Sequence, residues 1–288
     1  MDTLLQPAIE YAESGFAVTQ VVARDMAFNL RKYKEEIHLI PEFENFQKTF
    51  LHNGRMPLEG EVFRNQDLAQ TLRTIAAGGR DAFYRGAIAQ TIDTYARKVG
   101  LRLRISDLNS FEAEWVEPLS TDYRGYRVYE LPPNSQGLAA LQMLNILEGF
   151  DVKSLGHNTS NYIHLLSEAI KLAATDRIMF GGDPNFMDVP VEGLISKSYA
   201  AAQRSRINHY HASTVMGERY TDTPPEGSME AGFPATYLSG ETTHFAAADS
   251  VGNVFSITHT LGDAFGCAVV AGKTGFLLNN NITISFYE

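Results

Sequence analysis

Apolar positions recur at two different periods along this chain, and the change between them divides it. Up to about residue 211 the dominant spacing is helical. The pattern from about Pro7 to Lys32 predicts a broken helical stretch. Asn65 is placed as an N-cap, Leu68, Leu72 and Ile75 follow at helical spacing, and Gly78-Gly79 is expected to stop that helix. A second helix is expected from about Asp81 to Lys98, with Tyr84, Ile88, Ile92, Tyr95 and Val99 on one face. Ser106-Asp107-Leu108 reads as a short helix start. Leu119 to Leu131 is rich in β-branched and aromatic residues and predicts a strand pair. The loop Pro132-Pro133-Asn-Ser-Gln-Gly137 then leads into a helix carrying Leu138, Leu141, Leu144 and Leu147. The longest helix is expected from Ser160 to Phe180, with Tyr162, Leu166, Ala169 and Ala173 as its apolar stripe. Gly181-Gly182-Asp183-Pro184 ends it.

Residues 212–241 show no period and hold Pro224-Pro225, Gly227, Gly232 and Pro234, so they read as a long polar loop. After it the period becomes two. Thr242, His244, Ala246 and Ala248 fall on one face of a strand that looks buried, and Val254, Ser256, Thr258 and Thr260 on one face of the next. Ser250-Val-Gly-Asn253 supplies the turn. If Asp249 faces Asn253, the antiparallel register sets Thr242 opposite Thr260, close enough for their hydroxyls to bond. A slip of one residue would undo this. Gly266–Ala271 and Gly275–Asn279 read as two more strands.

The first residue of that hairpin carries the candidate chemistry. Cleavage of the Glu241–Thr242 bond would give Thr242 a free α-amine beside its own hydroxyl, and the amine can serve as general base for the hydroxyl. His244 shares the face, but a base is then already at hand, so a structural role is expected for it. Other chemistry-bearing residues read plainly. His209-Tyr-His211 lacks a carboxylate cluster and reads as surface. Glu168 and Asp176 read as helix-surface or packing polar residues, and Asp183-Pro184 as a turn. The glycine pairs are helix ends, since no Lys-Ser/Thr follows them.

Composition narrows the classes. The chain has 288 residues, 44% hydrophobic and 20% charged, which is enough apolar material for a sizeable core. A net charge of -10 argues against nucleic acid as a partner. The single cysteine, Cys267, allows no intrachain disulfide and no cysteine-based zinc site, and reads as a small buried hydrophobe in a strand. Met1-Asp-Thr-Leu-Leu-Gln-Pro7 has neither the basic start nor the apolar run of a signal peptide. No membrane segment is expected, and the default compartment is the cytoplasm.

Several separated motifs, in order, carry a resemblance. They are Asp81-Ala-Phe-Tyr-Arg-Gly86, Tyr123-Arg-Gly-Tyr126, Pro132-Pro133, Leu141-Gln-Met-Leu-Asn-Ile-Leu-Glu-Gly149, His164-Leu-Leu-Ser-Glu-Ala169, Asp176-Arg177 and Gly182-Asp-Pro184. Then come Thr242-Thr-His-Phe245, Asp249, Gly252-Asn253, Phe265-Gly266, Val270-Ala271-Gly272 and Gly275-Phe-Leu-Leu-Asn-Asn280. The chain resembles the γ-glutamyltransferase family of N-terminal nucleophile hydrolases over nearly its whole length. The resemblance implies an α+β fold, the αββα sandwich, here incomplete at both ends. It implies a precursor that cuts itself between Glu241 and Thr242 into a large/small subunit heterodimer. Residues 1–241 would be large-subunit-like, mostly helical and ending in a loop, and 242–288 the start of a small-subunit-like β region. Thr242 would be the nucleophile and Thr260 its support. Implied substrates are γ-glutamyl amides of the glutathione type, with transfer to an amine or to water, and no metal or organic cofactor.

The chain departs from the family pattern in informative places. Gly262 stands where glutathione-using members usually carry Asn. Asn281-Ile-Thr-Ile-Ser-Phe286 replaces the usual Gln-Met-Asp-Asp-Phe, with Ile284 near the place of the aspartate that grips the substrate amine. Asn281 can stand in for the Gln, so Gly262 and Asn281 are the candidate substrate-binding residues. These changes raise an acylase or amidohydrolase acting on other amides as the alternative. The family's substrate-binding arginine and its oxyanion glycines have no counterpart, so the sequence reads as the middle of a longer protein, expected to be inactive alone. A noncatalytic fragment needing a partner chain is the remaining reading.

Overall fold

A computed structural model describes residues 1–35, 43–213 and 242–280. It divides into two units, Met1–Ala113 with Ser239–Asn281, and Glu114–Leu238 with Ile282–Glu288.

The first unit begins with α1 (Asp2–Ser14), β1 (Phe16–Ala17), α2 (Gln20–Glu35), α3 (Glu44–Phe50), β2 (Val62–Phe63), α4 (Gln66–Tyr84), α5 (Ala87–Val99) and α6 (Ile105–Ser110). The Asn65 cap is as expected, its side chain accepting from the Leu68 N–H at 3.0 Å. The α4 span is two helical pieces, and the first stops at Gly79, φ 62 and ψ -151, as expected from Gly78-Gly79. One helix limit differs from expectation: the helix expected from Asp81 to Lys98 is split at Gly86, where a Cβ would lie 2.7 Å from the Ala82 carbonyl oxygen. The pattern also missed α3, whose one turn of apolar spacing is too short to register. Phe46 on α3 is fully buried, stacked on Phe43 at 4.7 Å and edge-on to Phe265 at 5.1 Å. Burial of such a ring is worth about 1.5–3 kcal/mol.

The second unit holds the hairpin β3 (Leu119–Tyr123) and β4 (Tyr126–Glu130), then α7 (Gly137–Leu147), α8 (Ser160–Phe180), α9 (Val191–Leu194) and α10 (Lys197–Arg204). Here α7 and α8 have the limits the sequence predicts. Thr159 caps α8 by accepting from the Tyr162 N–H at 3.2 Å. The stripe of α8 is shifted from the expected one: Leu165, Ala169 and Ala173 are buried, and Glu168 and Asp176 are buried with them. Neither carboxylate is on the surface, because each has donors waiting inside. Asp176 accepts from Gln142 and Gln203 at 2.9 Å and from the Tyr199 hydroxyl at 3.0 Å. Burial, reinforced by that carboxylate, pushes the Tyr199 phenol up to about 12. Glu168 receives Lys171 Nζ and the Ser213 hydroxyl, each at 2.7 Å. Burial pushes its carboxyl up, and these donors together outweigh burial and hold it below the ordinary value.

The chain returns to the first unit as β5 (Thr242–Ala248) and β6 (Val254–Thr260), so the sheets of the described residues are three antiparallel two-stranded pairs. The fold is thus mixed helix and strand. The two further strands expected at 266–279 do not form. Val270 and Leu277 make an isolated bridge, and positive φ at Gly266, Ala268, Gly272 and Gly275 breaks the extended run. Helix side chains take the carbonyls that a sheet would have used. Tyr33 Oη donates to Gly266 O at 2.9 Å, Asn45 Nδ2 to Val270 O at 3.1 Å, Asn65 Nδ2 to Gly275 O at 2.7 Å and Thr71 Oγ1 to Thr274 O at 2.8 Å. Satisfied in this way, the segment can run through the core. Phe265 and Ala268 pack with Leu30, Tyr33 and Phe46, while Val269 and Ala271 pack with Ile88, Ile92 and Tyr95. Cys267 lies in this irregular segment, half-buried and outside any strand, with burial pushing its thiol up.

Candidate active site

The β5–β6 ribbon owes its register to its turn. The Asp249 carboxylate accepts from the Val251 N–H at 3.0 Å, the Asn253 N–H at 2.9 Å and Asn253 Nδ2 at 2.7 Å. Bonding first to the Asn253 side chain and then to its backbone holds this carboxyl below its ordinary value. Gly252 completes the turn at φ 91. With Asp249 N donating to Asn253 O at 3.0 Å, the pairs run from Ala248↔Val254 to Thr242↔Thr260. This is the register expected from the sequence.

At the far end Thr242 Oγ1 donates to Thr260 Oγ1 at 3.0 Å. Two residues beyond Thr260 the chain turns at Gly262, φ 93, and the Gly262 N–H comes back to Thr260 Oγ1 at 2.9 Å. The next pair on the same face joins His244 Nδ1 and Thr258 Oγ1 at 2.9 Å, with Ser256 Oγ 3.5 Å from His244 Nε2. The His244 ring is therefore engaged along the ladder. The opposite face carries Phe245 and Phe255, ring centroids 6.0 Å apart.

The expectation of a buried strand is not met. All seven residues of β5 are exposed, and Phe245 and Phe255 are 53% and 54% exposed. Neither face of the ribbon is covered among the described residues, and strand period reports which residues share a face, not what covers it.

Of the residues singled out from the sequence, Thr242, Thr260 and Gly262 are thus brought together. Glu241 and Asn281 lie outside the described residues. Sequence reasoning assigned no role to Asp263 or Asn280. Asn280 Nδ2 donates to Asp263 Oδ2 and Asp263 N to Asn280 Oδ1, both at 2.9 Å. The partners lie 17 residues apart in an irregular segment, so no period could have paired them. His209 and His211 are exposed, as expected, and among the described residues no group of three His, Cys, Asp or Glu is placed to hold a metal. Likewise no described helix is long and apolar enough to cross a membrane.

Comparison with known proteins gives a consistent picture. The gamma-glutamyltranspeptidase family model matches residues 1–286. A glutathione hydrolase proenzyme of Escherichia coli is 36% identical over 98% of this chain and 46% of its own length. An acylase ACY 1 proenzyme of Pseudomonas sp. is also 36% identical, over 96% of this chain and 46% of its length. The crystal structure of a cephalosporin acylase from Bacillus halodurans superposes with a TM-score of 0.76 at 36% identity, covering 96% of this chain and 47% of that one. The chain spans about half the length of the curated relatives it matches.

Proposed function

The chain belongs to the gamma-glutamyltranspeptidase family, and from that premise we propose that it is part of an amide-cleaving enzyme whose nucleophile is Thr242, released as a new N-terminus by self-cleavage. The observation that carries this reading is the 3.0 Å bond from Thr242 Oγ1 to Thr260 Oγ1 at the open end of the ribbon. A hydroxyl fixed by a second hydroxyl is held in one orientation without a charge that would oppose attack.

In the maturation step Thr242 Oγ adds to the Glu241 carbonyl carbon. The C–N bond breaks, the nitrogen takes the hydroxyl proton, and an ester links the two residues. Water hydrolyses that ester, leaving a carboxylate on Glu241 and a free amine on Thr242. In turnover the amine takes the hydroxyl proton, Oγ attacks the substrate amide carbon, and the proton passes to the departing amine. The acyl-enzyme is resolved by water or by a second amine. Residues 1–241 would form the larger product of maturation and the chain from Thr242 onward the smaller.

The first substrate class is a γ-glutamyl amide of the glutathione type, with Gly262 and Asn281 on the substrate side. A non-glutathione acyl amide is the second, favoured by Gly262 itself. At φ 93 this position suits glycine, and it presents no side chain to a substrate amine.

Intact-mass spectra of the purified protein beside its Thr242→Ala variant test the proposal. The expected result is two fragments divided between Glu241 and Thr242 in the wild type only. Identical fragments from Thr242→Ala, or no cleavage in either, would refute it. A panel of amides with and without a free α-amine on the γ-glutamyl group then separates the substrate classes.

A further inference from the structure

The open end of the ribbon is exposed, yet one polar route ties it to the packed core. It starts at Asn280. The Asn280 N–H donates to Leu261 O at 2.9 Å, and its side chain exchanges two hydrogen bonds with Asp263, each at 2.9 Å. One residue thus grips the chain on both sides of Gly262. The grip fixes the turn in which the Gly262 N–H reaches Thr260 Oγ1 at 2.9 Å. Asn280 is itself tethered, because two residues earlier Leu278 N donates to Val269 O at 2.9 Å and Cys267 N donates to Leu278 O at 3.1 Å. Val269 is 1% exposed.

The consequence falls on the Thr260 hydroxyl. One of its lone pairs is occupied by the Gly262 N–H, and Thr242 meets what remains. If the turn moves, the Thr260 oxygen is free to rotate about χ1 and the Thr242 hydroxyl loses its fixed partner. A threonine has few rotamers, so holding one of them is a matter of a single well-placed donor.

We infer that Asn280, with Asp263 as its counterpart, is a positioning residue for the Thr242 hydroxyl, acting through Gly262 and Thr260. The inference rests on the reading of Thr242 as nucleophile, and it assigns to Asn280 no contact with substrate.

The test is the rate of self-cleavage between Glu241 and Thr242, followed by intact mass in the purified protein, with the thermal unfolding midpoint recorded alongside. The proteins are wild type, Asn280→Ala, Asp263→Ala, Asp263→Asn and Thr242→Ala. Asn280→Ala and Asp263→Ala should each slow cleavage by about tenfold. Asp263→Asn keeps a carbonyl oxygen for Asn280 Nδ2 and should stay within about twofold of wild type. Wild-type rates in both alanine variants while Thr242→Ala stays intact would overturn the positioning role and leave the nucleophile reading standing. Equal slowing in Asp263→Asn and Asp263→Ala, or slowing that only follows the unfolding midpoint, would also overturn it. Cleavage of Thr242→Ala, or none in the wild type, would remove the parent reading and this one together. Should Asn280→Ala not fold, the contrast between the two Asp263 variants decides alone.

Discussion

Thr242 and Thr260 are 18 residues apart in the chain and 3.0 Å apart at their hydroxyl oxygens. Their meeting is fixed at the other end of the ribbon, where Asp249 holds three donors of its own turn. Placement of the candidate nucleophile is therefore a problem of register, solved seven residue pairs away by local hydrogen bonds.

Thr260→Val keeps the shape of the side chain and removes the hydroxyl. It should slow self-cleavage by about tenfold, the worth of one hydrogen bond in an ordered site. Thr260→Ser should hold most of the wild-type rate. A mass-resolved time course of fragment appearance checks both.

Asp249→Ala should act at a distance. With no acceptor for Val251 N, Asn253 N and Asn253 Nδ2, the turn loses its fixed geometry. The expected outcome is slower self-cleavage with little change in the unfolding midpoint, because the residue is exposed and its carboxylate bonds only within its own turn. Asp249→Asn, which keeps one acceptor oxygen, should be intermediate.

These two cases show what a sequence carries openly. Asp249, Gly252 and Asn253 are close neighbours, so residue type and period were enough to give the turn, the pairing and the meeting of Thr242 with Thr260. The helix start capped at Asn65 was equally open. The segment 266–279 was not. Its apolar residues look like strands, but Tyr33, Asn45, Asn65 and Thr71 satisfy its carbonyls from far along the chain. Whether Glu168 and Asp176 lie on the surface or pack inside was left open for the same reason, since all their donors but Lys171 come from other helices or from a distant segment. Exposure of the ribbon was hidden because period does not reveal what lies above a face.

Gly275→Ala should destabilise the first unit by about 2–4 kcal/mol. A Cβ there would lie 2.2 Å from the Leu68 nitrogen and 2.7 Å from Asn65 Oδ1, at φ 73. It would strike the helix cap and the core bond at once. Gly252→Ala, at φ 91 with nothing within 4 Å of the added atom, should cost only its backbone strain, about 1–2 kcal/mol. Denaturant titration of the two variants separates collision from strain.

Glu61 should make stability depend on pH in acid. Arg55 grips its carboxylate with two bonds, at 2.7 and 2.9 Å, and the Leu58 N–H adds a third at 2.8 Å. The Arg55 guanidinium first, and then that N–H, push the Glu61 carboxyl down from 4.5 to about 2. A depressed folded value means the contribution is complete above the unfolded value of 4.5 and is lost as pH falls through about 2. Unfolding midpoints of wild type and Glu61→Gln should therefore differ at pH 6 and converge toward pH ~2. Parallel curves would contradict the ion pair.

Asp176→Ala should cost about 2–4 kcal/mol in the second unit, because the donors of Gln142, Gln203 and Tyr199 would lose a shared buried acceptor. Asp176→Asn retains one acceptor oxygen and should cost less than half as much. Chemical denaturation followed by tyrosine fluorescence reads both.

The donors Tyr33, Asn45, Asn65 and Thr71 precede residue 241, whereas the carbonyls they serve, from Gly266 to Gly275, follow it. A cut at the Glu241–Thr242 bond would hence fall between two lengths of polypeptide that already share one interior. Neither length could leave without opening that interior to water, so the cut chain should migrate as one particle in native buffer and as two bands only after denaturation. The covalent bond would be dispensable to cohesion once folding is complete, although folding would have needed it to bring the two lengths together.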